Sequence, residues 1–330
     1  MAMYKSLPYK TKQFLFLLVK LAIIVGAFYF IYNKVVYNDQ IQFVDFIKQL
    51  EASISGSGIT ILILIGLSFS NWFFEISKWK SLATSIQKVS FFEALQQSLG
   101  ALTASLFTPN RIGEYGAKAI YYKKGNRRKI MLLNLIGNGA QMLTTTLFGI
   151  IGLVYFLSHY EVNLEVYRLR KLVYVLAFLI AFIIFGSRYT GKKIQGFYID
   201  RILNFLKELP FSVHFTNMAF SILRYLIFSF QFYFLLSVFD VEIDYFTAMA
   251  LISSMYFIAS VVPSISFFDW LIKGSVAVWV FSFYPVNELI IVTITLVMWS
   301  LNFAIPAIFG SYFVLNFTFP SVFEPKSIEQ

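Results

Sequence analysis

The chain has 330 residues, of which 58% are hydrophobic and 13% charged, and it carries a net charge of +10. A soluble domain has about 25% charged residues, so an ordinary solvated surface is excluded. There is no cysteine, which excludes disulfides, thiolate catalysis and cysteine metal sites; His159 and His214 stand too far apart in sequence to suggest a histidine site, and no cofactor is implied. With no compact basic domain to carry it, the positive charge reads as cytoplasmic loops and anionic lipid contact, not nucleic-acid binding.

The apolar residues come in blocks near the roughly 20 residues that a membrane helix needs, without the short alternating segments of a barrel. The first block, 14–32, follows Lys5, Lys10 and Lys12. It is too long for a signal peptide and lacks a small-residue cleavage site, so it reads as a first span with its N-terminus inside. A second block covers 59–78. The segment 91–109 is shorter and contains Gln96, Gln97, Ser98, Gly100, Thr103 and Ser105. Residues 111–129 then hold seven Lys/Arg and one acid. Long blocks follow at 130–157 and 172–185, then a basic polar loop at 188–215. Three more apolar regions lie at 218–239, 248–263 and 267–317, the last broken near Tyr284-Pro285 and again at Pro306.

Basic loops face the cytoplasm. The loop 78–88 and the stretch 111–129 are both basic, so a crossing at 91–109 would put one of them on the wrong side. A segment that dips in and returns removes the conflict, and is tolerated where it is buried in protein or lines a wet cavity. Single cysteines placed at Ser85 and Asn126 are therefore both expected to be shielded from an impermeant external reagent; labelling of one alone would show a crossing.

Two stretches resemble each other. In the first, Pro109 is followed five residues later by Glu114 and then by Lys118; in the second, Pro263 is followed six residues later by Asp269 and then by Lys273. Each comes 45 to 50 residues after the start of a full span and precedes another long apolar stretch. The second copy follows the acidic turn 240–244, which belongs outside, so the copies have opposite orientation. Paired, proline-interrupted short segments in corresponding halves point to a transport site. The expectation is an all-α, polytopic helix bundle of six to eight spans, a single membrane domain with repeat halves at 58–187 and 216–317 and two re-entrant hairpins, with Glu114 and Asp269 close in space.

A charge in the hydrocarbon costs at least about 2.5–3.5 kcal/mol unless it is paired or solvated. Glu75 lies inside the second block, on one helical face with Asn71 and Lys78; Lys78 itself reads as snorkelling to the inner interface. Arg224 shares its face with Ser221 and Gln231. Asn134, Asn138 and Gln141 form another stripe, and Thr295, Trp299, Asn302 and Pro306 a further one. Asn134, Asn138 and Asn302 read as interhelical hydrogen-bond glue, and Gly137, Gly139, Gly149 and Gly152 as positions of close helix packing. Residues 123–129 read as an orientation signal.

The run Pro109-Asn110-Arg111-Ile112-Gly113-Glu114 resembles the Pro-Gly-Arg-x-Gly-Glu sequence of the lysylphosphatidylglycerol synthase membrane region, also called flippase-like membrane proteins. Pro109, Arg111, Gly113 and Glu114 match; Asn110 replaces the usual glycine, and Lys118 stands one position later than the family's basic residue. The second segment departs further, with Ser264-Ile265-Ser266-Phe267-Phe268-Asp269 where that family has a glycine-rich stretch and a glutamate. The resemblance implies a multi-pass protein of the cytoplasmic membrane that handles a phospholipid or lipid-linked substrate, often by moving it between leaflets. The bifunctional synthases add a soluble aminoacyltransferase domain; with an end at Gln330, that activity is not expected here.

A lipid phosphate needs cations, for which Arg111, Lys118, Arg224 and Lys273 are the candidates. Glu75, Glu114 and Asp269 are placed to bind an ammonium group, balance those cations or carry a coupling proton. Pro109, Gly113 and Pro263 are expected to shape the re-entrant turns. A membrane-embedded transferase acting on a lipid head group or polyprenyl phosphate is the alternative, with Glu114 or Asp269 as base; a scaffold for a separate partner enzyme, or a homo-oligomer, is a third arrangement.

Overall fold

The computed structural model of the chain describes residues 58–106, 108, 111–160, 199–261 and 269–318, with the side chains of 199–203 and 269–272 excepted. The expected spans at 14–32 and 172–185, and both Pro109 and Pro263, lie outside the described residues. Among those described, all regular structure is helical: α1 (Gly58–Thr84), α2 (Phe91–Ala104), α3 (Gly113–Ile120), α4 (Arg127–His159), α5 (Ile199–Glu208), α6 (Phe211–Val238), α7 (Tyr245–Val261), α8 (Asp269–Phe281), α9 (Glu288–Trp299), a π-helical turn (Ser300–Ala304) and α10 (Ile305–Leu315).

Four of these elements are long and apolar enough to cross a membrane: α1, α4, α6 and the continuous unit Glu288–Leu315. Each has at least 27 residues, about 40 Å at 1.5 Å per residue, against a hydrocarbon thickness of about 30 Å. Their outward faces are apolar, with Ile59, Leu62, Phe69 and Ile151 each about 70% exposed, as a multi-pass membrane protein requires. α2 is shorter, 14 residues or about 21 Å.

Local chemistry sets the helix ends. Ser90 and Glu93 form a reciprocal capping box at α2: the Ser90 hydroxyl accepts from the Glu93 amide at 3.2 Å, and the Glu93 carboxylate accepts from the Ser90 amide at 2.7 Å. The acidic turn is divided between two jobs. Asp240, at φ 53°, adopts the left-handed conformation just beyond α6, and Asp244 accepts from the amides of Phe246 and Thr247 to cap α7. The stretch 188–215, read as a polar loop, contains α5, whose Phe205, with Leu209 just after it, packs under Trp79 and Leu82; α6 then starts at Phe211 behind Pro210.

The expected break at Pro306 is a π turn instead, and the helix continues through it. Proline has no N–H to give the carbonyl of Asn302, four residues before it, and its ring crowds that carbonyl; an extra residue in the turn relieves the clash. The Asn302 carbonyl instead accepts from the indole N–H of Trp72 at 3.1 Å, and the Leu301 carbonyl from the Ser68 hydroxyl at 2.8 Å. Trp72→Phe is expected to lower stability by about 1–3 kcal/mol, the penalty of a buried acceptor left unmet, read as a drop in melting temperature in detergent.

α1 and α6 run antiparallel, with Leu64 opposite Gln231 and Glu75 opposite Arg224. α2 lies against α10: a Cβ on Gly310 would strike the carbonyl of Leu99, and Thr103 donates to the Ala307 carbonyl at 2.7 Å. α7 lies against α4, where Gly149 meets Phe257 and Gly152 meets Ser253 and Ala250. Gly137 meets Leu82, whereas Gly139, of the four glycines read as packing positions, has no close neighbour among the described residues.

α2 and α3 form an antiparallel hairpin. Near the turn, Gly113 lies on Thr108; beyond the other end of α3, the Tyr121 hydroxyl donates to the Gln96 carbonyl and the Tyr122 hydroxyl to the Gln97 side chain. Ile76, Trp79 and Leu82 near the end of α1 share one apolar cluster with Ile130 and Leu133 at the start of α4. The hairpin therefore begins and ends at the same end of the bundle.

Candidate functional site

Polar side chains on the buried face of α1 set the first part of the site. Ser68, Asn71, Glu75 and Lys78 recur at helical spacing and are all buried. Glu75 receives the Nη1 group of Arg224 from α6 in a close contact, and Lys78 Nζ at 2.8 Å from one turn further along α1. Arg224 is held on three sides: its Nε donates to Asn71 Oδ1 at 3.0 Å, and its Nη1 reaches Gln141 Oε1 on α4 at 3.4 Å as well as Glu75. The chain of bonds continues from Asn71 Nδ2 to Asn302 Oδ1 (2.9 Å), from Asn302 Nδ2 to Gln231 Oε1 (2.8 Å), and from Gln231 Nε2 to the Leu64 carbonyl (3.1 Å). Asn302 acts as the interhelical glue expected of it, tying α1 and α6 to the π turn.

The second part comes from the hairpin. Thr108 Oγ1 accepts from the Gly113 amide at 2.9 Å, and a Cβ at Gly113 would meet Thr108 Cγ2 at 2.7 Å and the Ser105 Cα at 3.3 Å. That close approach is the physical reason for glycine at this place in the motif. Two residues earlier Arg111 takes φ 56°, a left-handed conformation that is strained for an arginine. The turn sets Glu114 between two cations, with Lys118 Nζ at 2.8 Å and Arg111 Nη2 at 3.0 Å. Lys118 also donates to Asn134 Oδ1 at 2.9 Å and sits 4.2 Å from the centre of the Trp79 ring. Trp79 and Tyr122 both donate to Gln97 Oε1, at 2.7 and 2.8 Å, which fixes the hairpin on α1.

The two parts are one electrostatic unit: Lys118 acts on both carboxylates, and Glu75 acts on Glu114. Five of the residues expected at the site thus come together, namely Arg111, Glu114, Lys118, Glu75 and Arg224. Lys273 is exposed on α8 and is not among the charges around either carboxylate. The side chain of Asp269 lies outside the described residues, so the expected approach of Glu114 and Asp269 does too.

Lys78 corrects the sequence reading. It does not snorkel: it is 2% exposed and bonded to Glu75. Its place three residues after Glu75 on the same polar stripe was the available signal. Gln141 and Asn134, which share one polar stripe on α4, contact the cations directly, as does Asn71, and no spacing rule links α4 to either charged group. Chemically the site offers buried, oriented N–H donors carrying positive charge, suited to phosphate oxygens. Among the described residues there is no group of three or more His, Cys, Asp or Glu able to hold a metal ion. No protein-family model, curated protein or solved structure matches the chain.

Proposed function

We propose that this protein is a carrier of an anionic phospholipid or lipid-linked substrate across the cytoplasmic membrane, of the flippase-like kind that the Pro109–Glu114 run resembles. The observation that carries the reading is the buried unit of Glu75, Lys78 and Arg224 with Glu114, Lys118 and Arg111, since so many ionised groups inside a membrane domain mark a substrate or ion pathway. In this reading α2 and α3 are a re-entrant hairpin opening from the cytoplasmic side, as a hairpin with both ends at one end of the bundle would be. α7 and α8 are its inverted counterpart, opening from outside. The antiparallel pairing of α1 with α6, and the matched seating of α2 on α10 and α7 on α4, are what an inverted repeat requires. Six full spans result when those at 14–32 and 172–185 are added.

Reconstitution tests this. In liposomes holding a trace of fluorescent anionic phospholipid, the purified chain should raise the fraction exchanging between leaflets above that of empty liposomes, read by quenching with an impermeant reductant. Glu114→Gln should remove the increase, and Lys124→Gln, in the stretch assigned to orientation, should retain it. Equal rates for wild type and empty liposomes would reject carriage, and a chemically altered lipid in the product would indicate a transferase.

A further inference from the structure

Resting on the carrier reading above, we infer a narrower substrate class: a lipid whose head group ends in a phosphomonoester, carrying two negative charges. Each carboxylate in the site is shared between two cations. Glu75 has Arg224 and Lys78, and Glu114 has Lys118 and Arg111. Among the described residues, four cations less two carboxylates leave a surplus of two positive charges, and no other ionisable side chain there acts on either carboxylate.

Lys78 and Lys118, 2% and 1% exposed, are each matched by a carboxylate, so the excess charge falls on Arg224, 21% exposed, and Arg111, 43% exposed, and a cation short of water needs a counter-charge. A zwitterionic head group supplies no net charge. A phosphodiester supplies one negative charge and leaves one cation unmatched. A monoester dianion, with three acceptor oxygens, balances the site.

The donor geometry agrees. Arg111 Nε is buried and has no hydrogen-bond partner among the described residues, although Nη2 of the same guanidinium holds Glu114. The side chain of Arg111 is nevertheless 43% exposed, so this residue of the cluster is reachable from outside, and its guanidinium is a fork that fits phosphate. The strained φ of 56° at Arg111 is the backbone conformation from which its guanidinium meets Glu114.

Native mass spectrometry of the full chain in detergent at pH 7 tests the assignment by titration with dioleoyl phosphatidate, dioleoyl phosphatidylmethanol and dioleoyl phosphatidylcholine, which share acyl chains and differ in head-group charge. Phosphatidate is expected to bind about tenfold tighter than phosphatidylmethanol, on the scale of one charge-assisted hydrogen bond, with phosphatidylcholine weakest. Arg111→Gln, which lowers the surplus to one, should bring the phosphatidate to phosphatidylmethanol ratio close to one. Glycerol 3-phosphate at matched concentration should leave bound phosphatidate in place; displacement would assign the site to a soluble monoester and overturn the lipid assignment. Equal affinity for the two anionic lipids in the wild type overturns the dianion assignment and leaves the carrier reading standing. If none of the three lipids binds wild type better than Arg224→Leu, the carrier reading falls with it.

Discussion

Arg224→Leu is expected to abolish leaflet exchange and to destabilise the protein by about 3 kcal/mol. Breaking a buried ion pair by removing one partner generally costs about 3–5 kcal/mol, because the remaining charge is stranded. Here the lower end applies, since Lys78 stays 2.8 Å from Glu75 and keeps it compensated. The loss extends beyond the carboxylate: Asn71 Oδ1 and Gln141 Oε1 also surrender their donor, which removes the ties that this residue of α6 makes to α1 and to α4. Arg224→Lys should be intermediate, because a single ammonium cannot replace a fork that reaches three partners. Adding Glu75→Gln to Arg224→Leu should recover part of the stability and none of the exchange, since the stranded carboxylate is gone but the site is not rebuilt. Melting temperature in detergent and exchange in liposomes read the two effects separately. Near wild-type values for both Arg224→Leu and Arg224→Lys would remove Arg224 from the site.

The second large effect is expected at Gly310. A side chain there would run into the Leu99 carbonyl, with the Leu99 carbonyl carbon at 2.8 Å and the Thr103 hydroxyl also in the way. Backbone cannot swing aside as a flexible side chain can, so Gly310→Ala should cost about 3 kcal/mol, the upper end for overpacking, and Gly310→Val more. The consequence is functional as well as structural, because α2 is held between α10 and the Trp79–Gln97–Tyr122 contacts that position Lys118. Gly66→Ala on α1 is the control: nothing lies within 4 Å of its Cβ, and replacing a helical glycine by alanine should raise stability by about 0.5–1 kcal/mol. Unfolding midpoints for the two alanine variants should therefore move in opposite directions. A Gly310→Ala midpoint equal to wild type would mean that α2 and α10 are not packed this closely.

Much of this arrangement is legible from the order of residues. Blocks of about 20 apolar residues dictate membrane-length helices wherever they fall, because a backbone in hydrocarbon must satisfy its own hydrogen bonds, and α1, α4 and α6 follow from that alone. The polar stripe Asn71, Glu75, Lys78 is a consequence of 3.6-residue periodicity. The Pro109–Lys118 run marks a turn in which glycine is needed and an acid and a base stand one helical turn apart. Tertiary structure decided the partners. That Glu75 meets Arg224, 149 positions away, depends on α1 and α6 crossing antiparallel, and local spacing carries no information about that crossing. Lys78 shows the same limit: a lysine near a helix end snorkels when water is within reach of its stem, and stays inside when a carboxylate is nearer. The spacing from Glu75 offers the ion pair, and the packing of α4, α6 and the hairpin around Lys78 excludes the water that snorkelling needs.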